Sequence, residues 1–221
     1  MFRNLYLIIS GAITLLSIWM IFIWVPTEVN QGLVQRILYV HVPFAWASMV
    51  AIIAVAITSL MFLVTKKILW DNLSQSLAEV GVVSAIVMLF SGIVWAKPVW
   101  GVWWTGEAKL TTALILFLIY CAYLVFRNYF PPGEARNRIA AIIALIGAID
   151  SPIIYYAAQI WQQNHPQAVV GPLATQESSL SSEMVITLLT CVLAVTLMFI
   201  GIVWVQYKTV SEKGLKNVQI S

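Results

Sequence analysis

The chain has 221 residues, 61% of them hydrophobic and 10% charged, with a mean hydropathy of +0.91. Soluble domains carry roughly 45–50% apolar and about 25% charged residues, so this composition is that of an integral membrane protein. The net charge of +3 fits cationic cytoplasmic loops, and with no basic tract in the chain no nucleic-acid partner is expected.

A spanning helix needs about 20 predominantly apolar residues. Six such runs follow one another at 5–25, 42–65, 79–96, 110–126, 139–161 and 184–206. The expected fold is therefore all-α, a polytopic bundle of six transmembrane helices forming one membrane domain over residues 1–221. Six spans with their connections are expected to fill this length, with no separate soluble enzymatic domain. A barrel is excluded, because the runs lack the polar and apolar alternation of barrel strands. The first run exceeds a signal-peptide core of about 7–15 residues and lacks a small-residue cleavage end, so it reads as a retained helix, stopped by Pro26.

Loop charges set the expected orientation. Arg3, Lys66, Lys67, Arg127, Arg136, Arg138, Lys208, Lys213 and Lys216 lie on one side, against Arg36, Lys97 and Lys109 on the other. The positive-inside rule then puts both termini in the cytoplasm and turns the loops at 26–41, 97–109 and 162–183 outward. The cysteines, Cys121 and Cys191, sit singly in apolar runs and form neither a CxxC nor a CxxCH motif. Metal, redox-pair and covalent-haem readings of them therefore fail.

On the outward side gather both histidines, His41 and His165, together with an excess of tryptophan. The short connection after the third run holds Trp95, Trp100, Trp103 and Trp104. Two imidazoles, an aromatic platform and nearby cations are what a haem requires. A histidine at a membrane interface also serves as a plain polar end group, and the residues alone leave both readings open.

The string Arg36-Ile37-Leu38-Tyr39-Val40-His41-Val42-Pro43-Phe44-Ala45-Trp46, then Trp100-Gly101-Val102-Trp103-Trp104 and Leu110-Thr111-Thr112, resembles the haem-handling family of cytochrome c biogenesis, in particular its six-helix cytochrome c maturation protein C branch. Asp150 to Tyr156 and the segment from Trp161 to His165 and Pro166 extend the likeness. The resemblance implies that His41 and His165 ligate the iron of a non-covalent haem b from opposite faces. It further implies that Trp100, Trp103 and Trp104 cradle the ring in a loop of the WWD type, and that Arg36, Trp46, Glu107 and Lys109 belong to the same site. The implied place is the bacterial cytoplasmic membrane, with the haem site facing the periplasm. The implied partners are a periplasmic haem chaperone, an ABC-type ATPase with its membrane subunit, and a small single-helix membrane protein. This chain has no phosphate-binding GxxxxGK[ST] motif, so any ATP hydrolysis falls to another subunit. A haem lyase of the same superfamily and a bis-histidine electron-transfer cytochrome b are the competing readings. The first is generally larger and richer in histidine, and the second places its histidines within facing helices.

The loop departs from the family pattern at Gly106, Glu107 and Lys109, which stand where Trp, Asp and Arg are usual. Two readings of Gly106 give opposite signs: an open wall of the same pocket, which is preferred and would accept Gly106→Trp, and a glycine turn with φ > 0 that Trp could not adopt without strain. Among other polar residues, Asp150 falls within the fifth run, where an unpaired charge costs at least ~2.5–3.5 kcal/mol. A structural role beside a kink at Pro152 is preferred to a proton or haem pathway. Glu79 is expected near a wet helix end with no functional role, Glu183 as a capping residue, and Pro43 in a first helical turn where proline is tolerated. Reporter fusions after residues 70, 132 and 215 are expected to read cytoplasmic, and those near 30, 102 and 170 periplasmic. The inverse pattern would contradict the charge argument.

Overall fold

The computed structural model describes residues 2–161 and 180–220. Six of its stretches are long and apolar enough to cross a membrane: Arg3–Trp24, Leu33–Thr65, Ile68–Trp100, Ala108–Tyr129, Glu134–Ile154 and Ser182–Lys213. They comprise seven α-helices among the described residues: α1 (Phe2–Trp19), α2 (Leu38–Thr65), α3 (Ile68–Trp100), α4 (Ala108–Tyr129), α5 (Glu134–Ala148), α6 (Asp150–Ile160) and α7 (Ser182–Ile220). The only strand-like pairing among the described residues is one bridge between Glu28 and Gly32.

The ends of these helices follow local chemistry. α1 widens into a π-helical turn at Met20–Trp24 and stops where Val25 turns extended, as a residue before proline must. A 3-10 turn at Leu33–Ile37 leads into α2. α3 ends at Gly101, whose φ of 77° supplies the left-handed cap. The fifth span breaks at Ile149, so Asp150 is not mid-helix but the first residue of α6. There a carboxylate complements the helix dipole and Pro152 lacks only an amide that the first turn would leave unused. Pro43 is the sixth residue of α2, past the first turn, and is fully buried. The amide of Met184 is capped by the Ser181 hydroxyl at the start of α7.

In lipid, helices gain little from apolar burial and associate through close packing of small residues and polar bonds. The α2/α3 pair shows this most clearly. A side-chain carbon on Gly81 would stand 2.7 Å from Ala51 Cβ, and one on Gly92 would stand 2.9 Å from His41 Cε1. Ser59 and Ser74 hydroxyls meet at 2.9 Å. The pairs 41/92, 51/81 and 59/74 keep one antiparallel register. From His41 to Ser59 the helix rises about 27 Å at 1.5 Å per residue, close to the ~30 Å hydrocarbon thickness. His41 and the serine pair therefore stand about one hydrocarbon thickness apart along α2. α4 packs on α5 and α6, with the Tyr120 hydroxyl donating to Ala144 O at 3.1 Å and Gly147 making room for Ile119 and Tyr120. α1 is held to α7 by the Tyr6 hydroxyl, which donates to the Leu197 carbonyl, and by the Tyr6 ring against Gly201.

At the serine end a polar network joins five helices. Arg127 of α4 forms a two-pronged ion pair with Asp71 of α3, both contacts at 2.7 Å, and donates to Gln75 Oε1 at 3.2 Å. Tyr123 lies beside Ser74 at 3.4 Å, and Arg136 of α5 donates to the Arg127 carbonyl at 3.3 Å. Glu79 accepts from Gln75 and from Gln206 of α7. Two expectations are thereby corrected. Arg127 is not an exposed loop cation but 4% exposed inside the bundle, and Glu79 lies well inside α3, held by two amides. The third run was read short because hydropathy alone ends it at Glu79, whereas paired polar residues let α3 begin at Ile68. Asp71→Asn is expected to lower the stability of the folded protein by about 3–5 kcal/mol by leaving a buried guanidinium unpaired. Joint replacement of both residues by Asn and Met should cost less, as read from SDS-induced unfolding in mixed micelles.

Candidate functional site

His41 occupies the second half of the first turn of α2 and is half-buried against α3. Its Nδ1 lies 2.9 Å from the Met88 carbonyl oxygen and 3.2 Å from Ser91 Oγ. A carbonyl can only accept, so Nδ1 carries the hydrogen and the neutral ring keeps its lone pair on Nε2. A histidine held in this way by a backbone carbonyl has the form of a metal ligand with its second support already made. The ring packs against Gly92, on the spot where any side chain would stand. Met88, Ser91 and Gly92 carried no sequence signal in isolation. A serine and glycine side by side in an apolar run was the one available hint.

One turn further along α3 the tryptophan cluster begins. Trp95 and Trp100 stack edge to face, with centroids 4.9 Å apart and planes at 82°, and Trp95 Nε1 donates to Gln31 Oε1 at 3.0 Å. Lys97 donates to the Gly101 carbonyl at 2.8 Å and lies 5.9 Å from the centre of the Trp103 ring. That cation caps the end of α3. Trp103 is 57% exposed and Trp104 half-buried, so the loop presents indole surface outward from the bundle. Glu107 precedes α4, and the charge of Lys109 in its first turn reaches both Glu107 and His41.

The structure brings His41, Lys109 and Glu107 to one end of the bundle with the tryptophan loop. It does not gather every expected residue there. Arg36 turns to the end of α1, donating to the Phe22 carbonyl at 3.2 Å, and its Nε is buried without a hydrogen-bond partner among the described residues. Trp46 stands five residues beyond His41, about 140° further round α2, and is half-exposed. His165 lies outside the described residues.

These features define a class: a multi-pass α-helical membrane protein with an oriented imidazole and an indole-rich loop at one membrane edge. The chain belongs to the haem exporter protein C family, whose model matches residues 2–219. It is 38% identical over 160 residues to a putative cytochrome c biosynthesis ccmC-like mitochondrial protein of Marchantia polymorpha, covering 72% of this chain and 66% of the relative. It is 36% identical over 175 residues to haem exporter protein C of Bradyrhizobium diazoefficiens, covering 79% and 66%. The same-named protein of Escherichia coli K12 is 32% identical over 164 residues, covering 72% and 66%. The matches thus span just under two thirds of the length of these relatives.

Gly106 resolves the departure noted in the loop. Its φ is +73°, a left-handed conformation matched at Gly101, so the loop turns on a glycine at each end. A side-chain carbon there would meet nothing within 4 Å, and the obstacle is the backbone, not the space. The open-wall expectation gives way to the turn. Non-glycine residues in this region cost roughly 1–2 kcal/mol, with asparagine among the better tolerated. Gly106→Trp is expected to lower the thermal midpoint in detergent more than Gly106→Asn. Equal midpoints would show that the turn does not require glycine.

Proposed function

We propose that this chain is a haem-handling membrane subunit of cytochrome c biogenesis. It holds one haem b without covalent attachment at the outward membrane face and presents it to a periplasmic haem chaperone. Haem is the cargo, and no catalytic step is assigned to the chain. The observation that carries the reading is the His41 imidazole, whose Nδ1 is committed to the Met88 carbonyl and whose Nε2 is left for iron. Membership of the haem exporter protein C family supports the cargo, and the absence of a CxxCH motif supports non-covalent binding. In this reading His165 supplies the opposite axial nitrogen, and Trp100, Trp103 and Trp104 cover the ring. Lys109 faces a propionate as a point charge, without the paired fork an arginine would offer. Glu107 balances Lys109.

The bacterial cytoplasmic membrane is the proposed site of action, with both termini inside. The proposed assembly includes an ABC-type ATPase, its membrane subunit and a small single-helix protein. Glu28, Asn30 and Gln31 in the connection after α1 leave Trp95 anchored, so the loop meets a partner as a preformed platform. Purified protein loaded with haem should give a low-spin, six-coordinate spectrum. His41→Ala is expected to lose that signature, with imidazole added from solution restoring part of it. A wild-type spectrum in both His41→Ala and His165→Ala would overturn the assignment.

A further inference from the structure

We infer that Gly92 and the Met88 carbonyl of α3 are positioning groups for the His41 ligand, fixing the tautomer and the plane of its ring before any cargo arrives. The inference rests on the haem-holding reading for its consequence, but the arrangement itself is made by α2 and α3 alone. Three contacts converge on one ring. The Met88 carbonyl at 2.9 Å takes the Nδ1 hydrogen, and the Ser91 hydroxyl at 3.2 Å lies on the same nitrogen. Ser91 itself donates to the carbonyls of Val87 at 2.7 Å and Met88 at 3.0 Å, so its oxygen offers a lone pair toward the imidazole. Gly92 is the floor. A Cβ there would stand 2.9 Å from Cε1 and 3.3 Å from Nδ1, closer than packed atoms allow.

The ring cannot step aside without cost to the cradle, because moving it away from residue 92 lengthens the bond to Met88. Glycine within a helix is disfavoured relative to alanine, so its presence here needs a packing reason. The imidazole is that reason. The same close approach of α2 and α3 that brings Ala51 against Gly81 carries His41 onto Gly92, so the position of the ligand is set by the seam of the bundle and not by a loop. A histidine left free would sample both tautomers and several rotamers, and only part of that population would present Nε2 to iron. Groups that orient a ligand in this way are worth 10–100-fold in metal affinity.

The test uses the full-length protein in detergent with two readouts. In haem-free protein labelled with 15N-histidine, with His165→Gln used for assignment, His41 should show a protonated Nδ1 and an unprotonated Nε2. Gly92→Ala should abolish that pattern. In haem-loaded protein, Gly92→Ala should lower occupancy at least about tenfold and shift the remainder toward high spin, with Ser91→Ala having a smaller effect. Because a Gly92 variant could act by disturbing the helix pair, the decisive comparison is His41→Gly against His41→Gly/Gly92→Ala, each given free imidazole. An untethered ring can settle beside the alanine methyl, so equal rescue of the low-spin spectrum is expected. The inference is overturned by a protonated Nε2 in the haem-free protein, by wild-type occupancy in Gly92→Ala, or by failed rescue in the double variant alone. A low-spin spectrum retained in His41→Gly without imidazole would instead overturn the haem-ligand reading and leave the nitrogen pattern of the empty protein standing.

Discussion

The close approach of α2 and α3 governs the rest of the molecule. Two helices can run closely side by side through lipid only where small residues face each other, and Ala51 against Gly81 supplies such a contact. From that contact the register propagates in both directions. It delivers a pair of serine hydroxyls and an imidazole to points about one hydrocarbon thickness apart. A larger side chain at Gly81 would have to push the helices apart and would disturb both ends at once.

The two ends have different chemistry for the same physical reason. Charged groups are costly at membrane depth unless paired, and at the serine end Asp71 and Arg127 satisfy each other with a matched fork while Gln75 and Tyr123 take up remaining hydrogen-bonding capacity. That network locks α2, α3, α4, α5 and α7 into one body. The His41 end is built differently. Among the described residues the imidazole is hydrogen-bonded through Nδ1, Trp103 is exposed, and the charge of Lys109 reaches the histidine. In the proposed reading the first end holds the bundle together and the second receives the haem. The placement of His41 at a helix end, beside this loop, also sets it apart from the mid-bundle histidines of an electron-transfer cytochrome.

Much of the architecture was legible from hydropathy, because the bilayer imposes one length scale on every span. Boundaries were less so. α3 and α7 extend well past their apolar stretches, α3 because Asp71 and Gln75 find partners that no single-sequence count can foresee. The break at Ile149 is hidden for a related reason: Asp150 and Pro152 read as a defect inside one helix, whereas they stand in the first turn of another. In the site, His41 and the tryptophans announced themselves by residue type. Met88 acts through its backbone and Gly92 through the absence of a side chain, and neither contribution has a residue signature. At Gly106 a missing aromatic ring and a left-handed turn look alike in sequence, and the backbone φ of 73° separates the two readings.

The central claim is that His41 is an oriented ligand whose Nε2 meets the iron of the cargo. Electron–nuclear double resonance on the ferric haem-loaded protein, prepared with 15N placed selectively at the ε2 position of histidine, tests this directly. In a His165→Gln background, the account predicts a strong 15N coupling from an axial Nε2 that is lost when His41 is also replaced by Ala. Coupling through Nδ1, or an Nε2 coupling unchanged by removal of His41, would contradict it.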